Sequence, residues 1–112
     1  MQKVVIAFDV DGTLIDDQDR MNVRTVRLLT DLANMKNVEI VVWSGGGQDY
    51  AEMWVRRLGL SKYVKRCYDK NHLSADSEGN RHAFNPEITP DIAIDDIQDC
   101  TLGNVNLIVR EK

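Results

Sequence analysis

The sequence predicts an α/β fold: a doubly wound, Rossmann-like domain on a mostly parallel five-stranded sheet with helices on both faces. Three observations predict it. Short apolar runs of strand length recur along the chain, from Val4 to Phe8, Val38 to Trp43, Ile92 to Ile94 and Val105 to Val109. The segments between the early runs carry apolar residues at helical spacing. Strands alternating with helices imply right-handed crossovers, and hence a parallel sheet covered on both sides.

Each element has its own justification. Val4 to Phe8 is continuously apolar and bounded by polar residues, as a strand buried on both faces should be. Asn22 is placed to cap a helix in which Val23, Val26, Leu29 and Ala33 form the apolar stripe, widened by Leu28 and Leu32. Val38 to Trp43 is the second strand. Ala51, Trp54, Val55 and Leu58 sit at i, i+3, i+4 and i+7, which predicts an amphipathic helix. Gly59 stops it, with Leu60 placed for the apolar contact that accompanies a glycine C-cap. Tyr63 to Tyr68 is a third, more polar strand, nearer an edge. Residues 71–90 hold Asn, Ser, Asp, Gly and two prolines and predict a loop with one short helix. Ile92 to Ile94 and Val105 to Val109 complete the sheet.

The 112 residues, 43% hydrophobic, suit one domain, residues 1–112, with one core. No apolar run approaches the length of a membrane span. Met1-Gln2-Lys3 leads straight into the first strand, which predicts no signal peptide. Two cysteines, Cys67 and Cys100, make no disulfide framework and read as buried small hydrophobes of a reduced, cytoplasmic protein. A net charge of −4 gives no electrostatic footprint for nucleic acid. The acids gather in two groups: Asp9, Asp11, Asp16 and Asp17 early, Asp91, Asp95, Asp96 and Asp99 late. If the groups meet in space, their repulsion calls for a cation.

The chemistry converges on one edge of the sheet. In open α/β sheets ligands bind at the carboxyl ends of the strands. After the first strand comes Asp9, after the second Ser44, after the third Lys70, after the fourth Asp95 and Asp96. Four strands each deliver a reactive polar residue to the same rim. Asp9 and Asp11, one residue apart and followed by Gly12, suit nucleophilic and acid–base work. A tight hairpin at Asp11-Gly12 is the bland alternative, but no strand follows closely enough. Ser44 has a competing structural role as a cap for the next helix, and Asp95-Asp96 as a cap for one beginning at Ile97. Lys70 has Lys62 and Lys65 as neighbours in sequence. His72 and His82 fall in the polar loop and are expected to face solvent.

Asp9-Val10-Asp11-Gly12-Thr13-Leu14 resembles the first motif of the haloacid dehalogenase superfamily of phosphohydrolases, and Ser44, Lys70 and Asp95-Asp96 match its other three motifs in order. The resemblance spans residues 4 to 96. It implies a magnesium-dependent phosphatase with Asp9 as nucleophile, forming an aspartyl-phosphate. Asp11 would protonate the leaving oxygen and then activate water. That role needs a raised Asp11 pKa, expected from neighbouring carboxylates and burial. Ser44, Lys70 and amides near Gly12, Thr13 and Gly45 would hold the phosphoryl oxygens. Mg²⁺, a hard cation favouring oxygen ligands, would be held by Asp9, the Asp11 carbonyl, Asp95 and Asp96. Asp99 competes with Asp96, since another form of the fourth motif spaces its acids four residues apart. Response-regulator receivers share the aspartyl-phosphate but carry their acid pair first and lysine last; the order here is reversed.

Most members of that superfamily insert a cap domain after the first or second motif. The gaps from Asp11 to Ser44 and from Ser44 to Lys70 leave no room for one. A capless type implies an open site, with a macromolecular phosphorylated substrate or an oligomer in which a neighbour covers it. The acidic chain, and Gly45-Gly46-Gly47 where nucleic-acid-end phosphatases of this type carry a glycine then an arginine, weigh against nucleic acid. Arg56, Arg57, Lys62, Lys65 and Arg66 are the basic residues available for a patch, and the loop with Arg81, His82 and Phe84 is the candidate for substrate contact. Two alternatives stand beside the phosphatase: a binding or regulatory module that keeps the fold without turnover, and a phosphotransferase.

Overall fold

Val4 to Phe8 becomes the central strand. The computed structural model describes residues 2–75, 77–79, 81–96 and 103–109, the side chains of Ser74, Arg81 and His82 excepted. The elements are β1 (Val4–Asp9), α1 (Val23–Ala33), β2 (Val38–Ser44), α2 (Gln48–Arg57), β3 (Arg66–Asp69), β4 (His72–Ala75), β5 (Arg81–Phe84), β6 (Ile92–Asp95) and β7 (Val105–Ile108). Five strands form one sheet in the order β3-β2-β1-β6-β7, every pair parallel. An α/β fold on a parallel five-stranded sheet is therefore present.

Alternation along β1 and β2 sorts the core onto two faces. Ile6, Phe8, Ile40 and Val42 point to one side, where Val26 and Leu29 of α1 and Ala51, Trp54 and Val55 of α2 pack on them. Both described helices lie on this face. Ala7, Val41, Trp43 and Ala93 point to the other, with Ile88 against them. Among the described residues no helix covers that second face; the segment from β3 to β6 carries the antiparallel β4–β5 hairpin in place of the expected loop and short helix. The hairpin strands show no clear strand pattern because each is four residues long and only half apolar. A turn with Gly79 at φ 85° and the His72–Phe84 pair, ring centroids 5.7 Å apart, hold them in register.

Other departures have local causes. Val23 and Leu28, expected in the α1 stripe, are exposed. Leu28 sits about 100° round the helix from buried Leu29, too far to share its face. Asn22 takes the N-cap position, yet its side chain makes no capping bond; its carbonyl accepts from the Val26 amide. β3 starts at Arg66, not Tyr63, because the amides of Tyr63 and Val64 still bond back to Leu60, and pairing resumes only with Lys65 on Ile40. The end of α2 follows expectation. Gly59, at φ 72°, donates to the Arg56 carbonyl and Leu60 to Val55, a complete Schellman closure with Leu60 buried. Among the described residues no helix is long and apolar enough to cross a membrane. Cys100, Asp99 and the helix considered after Asp96 lie outside the described residues.

Candidate active site

Asp9 is the last residue of β1, in register with Trp43, and Asp95 is the last residue of the adjacent β6. Neighbouring parallel strands ending together bring their terminal carboxylates together. Lys70, following β3, reaches across to both. Its Nζ lies 2.8 Å from Asp9 Oδ1 and 2.8 Å from Asp95 Oδ2, and all three residues are buried. The Lys70 backbone is fixed as well, since its amide donates to the Ser44 carbonyl at 2.9 Å. Asp96 completes the group at the exposed edge, and one oxygen from each of Asp9, Asp95 and Asp96 lies within 4.8 Å of the others. The early and late acids do meet, though not all of them. Asp91 sits at the opposite end of β6, where its carboxylate accepts from the Val5 amide, and Asp16 is engaged by Arg20.

The turn after β1 is built around the Val10 carbonyl, which accepts from the amides of Thr13, Leu14 and Ile15. Leu14 in turn accepts from Asn22, folding residues 10–22 down over the end of the sheet. Gly12 has φ 76°, and a Cβ there would run into the Asp96 carboxylate. Glycine thus serves twice, in turning the chain and in letting an acid approach the backbone. Thr13 is fully buried. Its amide is taken by Val10, and what it offers the site is a hydroxyl 3.5 Å from Asp9 Oδ2. The amides of Gly12 and Gly45 donate to no backbone acceptor among the described residues.

Ser44 ends β2 and is buried. Its Oγ accepts from the Gly46 amide at 3.0 Å, and the N-cap of α2 is Gly47, so Ser44 does not cap that helix. Asp11 stands apart from the carboxylate cluster. Its side chain is exposed, contrary to the burial expected, and its Oδ1 accepts from the Tyr50 hydroxyl at 2.8 Å.

The electrostatics follow from burial. The Asp9 carboxyl is pushed up to about 7, chiefly by burial; Lys70 pulls it back down, while Asp95 and Asp96 push further up. Burial opposes the Lys70 charge, but Asp9 and Asp95 outweigh it and hold the ammonium above its ordinary value. Asp96 is raised by partial burial of its carboxyl and then by Asp95. Three carboxylates facing one ammonium leave a formal deficit of two positive charges. An all-oxygen cluster with that deficit fits a hard divalent cation.

The basic residues do not share this rim. Arg56, Lys65 and Arg66 line a separate cleft with Glu52, Val55 and Cys67, beside the start of β3 and the end of α2. The mouth of the candidate site is lined by Asp11, Asp16, Asp17, Asp19 and Asp96. His72 is half-exposed beside Asp69, as expected of a solvent-facing histidine. Of the proposed contact loop, Phe84 meets the His72 ring at a tilt of 59°, while the side chains of Arg81 and His82 lie outside the described residues. Two residues escaped the sequence analysis. Asn85, buried, donates to the Asp69 carbonyl at 3.0 Å and so ties the hairpin to the Lys70 turn. Tyr50 was passed over although it lies in the first turn of α2, close behind Ser44.

Comparison with known proteins gives a family and one distant relative. An uncharacterized 36.0 kDa protein of Orgyia pseudotsugata multicapsid polyhedrosis virus is 27% identical over 75 residues, which is 65% of this chain. The alignment spans 24% of that protein, so the chain corresponds to about a quarter of its relative's length. No solved structure matches. A family model described as "Protein of unknown function (DUF705)" matches residues 1–89, which take in Asp9, Asp11, Ser44 and Lys70. With that much of its 112 residues inside the match, the chain belongs to the DUF705 family.

Proposed function

We propose that the protein is a magnesium-dependent phosphomonoester hydrolase of haloacid dehalogenase type, working through an aspartyl-phosphate on Asp9. The observation that carries this reading is the buried Lys70 ammonium held 2.8 Å from both Asp9 and Asp95, with Asp96 alongside, at the carboxyl ends of adjacent parallel strands. A purely structural ion pair needs one carboxylate per lysine. Here there are three, gathered where such sheets bind ligands.

Asp9, Asp95 and Asp96 would hold the cation, together with the Asp11 carbonyl. When bound, Mg²⁺ supplies the positive charge that draws Asp9 into its carboxylate form and offsets the charge of the phosphoryl oxygens. The protein's own residues do the rest. The Asp9 carboxylate attacks phosphorus, with Thr13 and Lys70 fixing its two oxygens. Lys70 balances charge as the leaving oxygen departs. Ser44, whose Oγ accepts from Gly46, keeps its own O–H to donate to a phosphoryl oxygen beside the amides of Gly12 and Gly45. Asp11 would protonate the leaving group and then take a proton from water, from an exposed side chain outside the carboxylate cluster.

The finer fold description belongs to this proposal. A doubly wound, capless domain is part of this reading, with both described helices on one face of the sheet and Ile88, from the β3–β6 crossover, packed on the other. The cytoplasmic assignment rests on cysteine usage, with Cys67 a buried thiol. For the substrate, the acidic mouth and the remote basic cleft favour a phosphate flanked by neutral or cationic groups over a nucleic-acid end.

The test is release of p-nitrophenol from p-nitrophenyl phosphate, with Mg²⁺ or with EDTA, by the protein and by Asp9→Asn. Magnesium-dependent release that Asp9→Asn abolishes is the expected outcome. Release that survives in Asp9→Asn would remove the aspartyl-phosphate mechanism. With no release from either protein, a beryllium fluoride adduct would mark a substrate too selective for the probe, and its absence would favour the non-catalytic module.

A further inference from the structure

The geometry points to Tyr50 as a positioning residue, its hydroxyl holding the Asp11 carboxyl at the mouth of the site through a contact that Gly46 keeps open. This inference rests on the phosphatase reading above. Asp11 lies on the turn beyond β1 and is exposed, so packing does not fix its side chain. Among the described residues, Tyr50 supplies the hydrogen bond to that side chain, 2.8 Å long and 39 positions away in sequence. The tyrosine ring leans on the backbone of Gly46. A Cβ there would stand 2.9 Å from the ring's Cδ2 and 3.1 Å from its Cγ, tighter than side chains tolerate. The same Gly46 donates its amide to Ser44 Oγ. One glycine therefore links the serine at the end of β2 with the tyrosine that reaches Asp11.

Tyr50 occupies Asp11 Oδ1, leaving Oδ2 to hold the proton aimed at the leaving group. As the bond from Asp9 to phosphorus forms and the phosphorus–oxygen ester bond breaks, the electron pair goes to the leaving oxygen. The Oδ2 proton transfers to that oxygen. Asp11 becomes a carboxylate, still hydrogen-bonded at Oδ1 by a donor already in place. In the second step water attacks phosphorus and gives its proton to Asp11, releasing phosphate from Asp9.

Leaving-group dependence separates this role from a structural one. Nitrophenolate departs without a proton, whereas an alkoxide needs one, and kcat/KM reports the step in which the ester bond breaks. Tyr50→Phe keeps the ring on Gly46 and removes only the hydroxyl. With Mg²⁺ present, we expect kcat/KM for a primary alkyl phosphate to fall on the order of tenfold further than for p-nitrophenyl phosphate, a part of the general-acid contribution. Gly46→Ala, which pushes the ring off its seat, should show the same unequal loss. Equal losses on both substrates in Tyr50→Phe, or no loss on either, overturn the assignment. A parent protein that hydrolyses neither substrate overturns the phosphatase reading, and this one with it.

Discussion

Replacing Asp9 by asparagine should make the metal-free protein more stable. The Asp9 carboxyl moves from an ordinary 3.8 to about 7 in the fold, chiefly because it is buried. The sign follows by linkage. Below pH 3.8 the carboxyl is neutral in both folded and unfolded chains, and its burial costs little. Between 3.8 and 7 the unfolded chain gives up the proton and the folded one keeps it, so stability falls as pH rises. Above 7 the loss is complete. At about 1.36 kcal/mol per unit, a shift of that size amounts to about 4 kcal/mol. Asparagine mimics the neutral acid and removes the penalty. With an unfolding entropy of about 2.1 cal/mol/K per residue, the gain corresponds to a rise in Tm on the order of 15 °C. Thermal unfolding of both proteins in EDTA, at pH 8 and at pH 4, measures it. The variant should melt well above the parent at pH 8 and close to it at pH 4. An Asp9→Asn variant that melts at or below the parent at pH 8 refutes the argument, because Asp9 would then be a stabilising partner of Lys70 and nothing more.

The opposite sign is expected at Lys70. Lys70→Met leaves Asp9 and Asp95 buried without their counter-charge and should cost about 3–5 kcal/mol at pH 8 in EDTA, read as a loss in Tm. At Gly12, alanine forces a Cβ into the Asp96 carboxylate at a backbone angle that disfavours side chains. Gly12→Ala should therefore lose most of the Tm increase that added Mg²⁺ gives the parent, and an undiminished increase would place the cation elsewhere.

The parts of the fold legible in the sequence were those set by short-range rules. The strands expected at Val4 to Phe8 and Val38 to Trp43 are present, each one residue longer, as Val4–Asp9 and Val38–Ser44, because strands in the middle of a covered sheet are mostly apolar. Gly59 and Leu60 read correctly because the Schellman closure has a fixed spacing. The β4–β5 hairpin was not legible. His72–Ala75 and Arg81–Phe84 pair across a glycine turn, but each is only four residues long and half apolar, too short a pattern to stand out from loop. The start of β3 was misjudged for a related reason. Val64 is apolar enough for a strand, but its amide is already committed to Leu60.

The candidate site divides along the same line. Asp9, Ser44 and Asp95 end strands, Lys70 and Asp96 follow them directly, and in a parallel sheet the end of a strand is a position in space. That is why five residues scattered over 88 positions could be assigned to one rim of the sheet from the sequence. Tyr50 and Asn85 are placed differently. Tyr50 lies on a helix whose apolar stripe runs through Ala51, Trp54 and Val55, and its reach to Asp11 depends on how α2 leaves the glycine turn. Asn85 depends on a hairpin that the sequence conceals. The groups proposed to react are thus fixed by topology, and those that brace them by tertiary detail. The brace is also where Gly46 gains a reason to be glycine. Its backbone conformation is open to other residues, but the Tyr50 ring occupies the space a side chain would need.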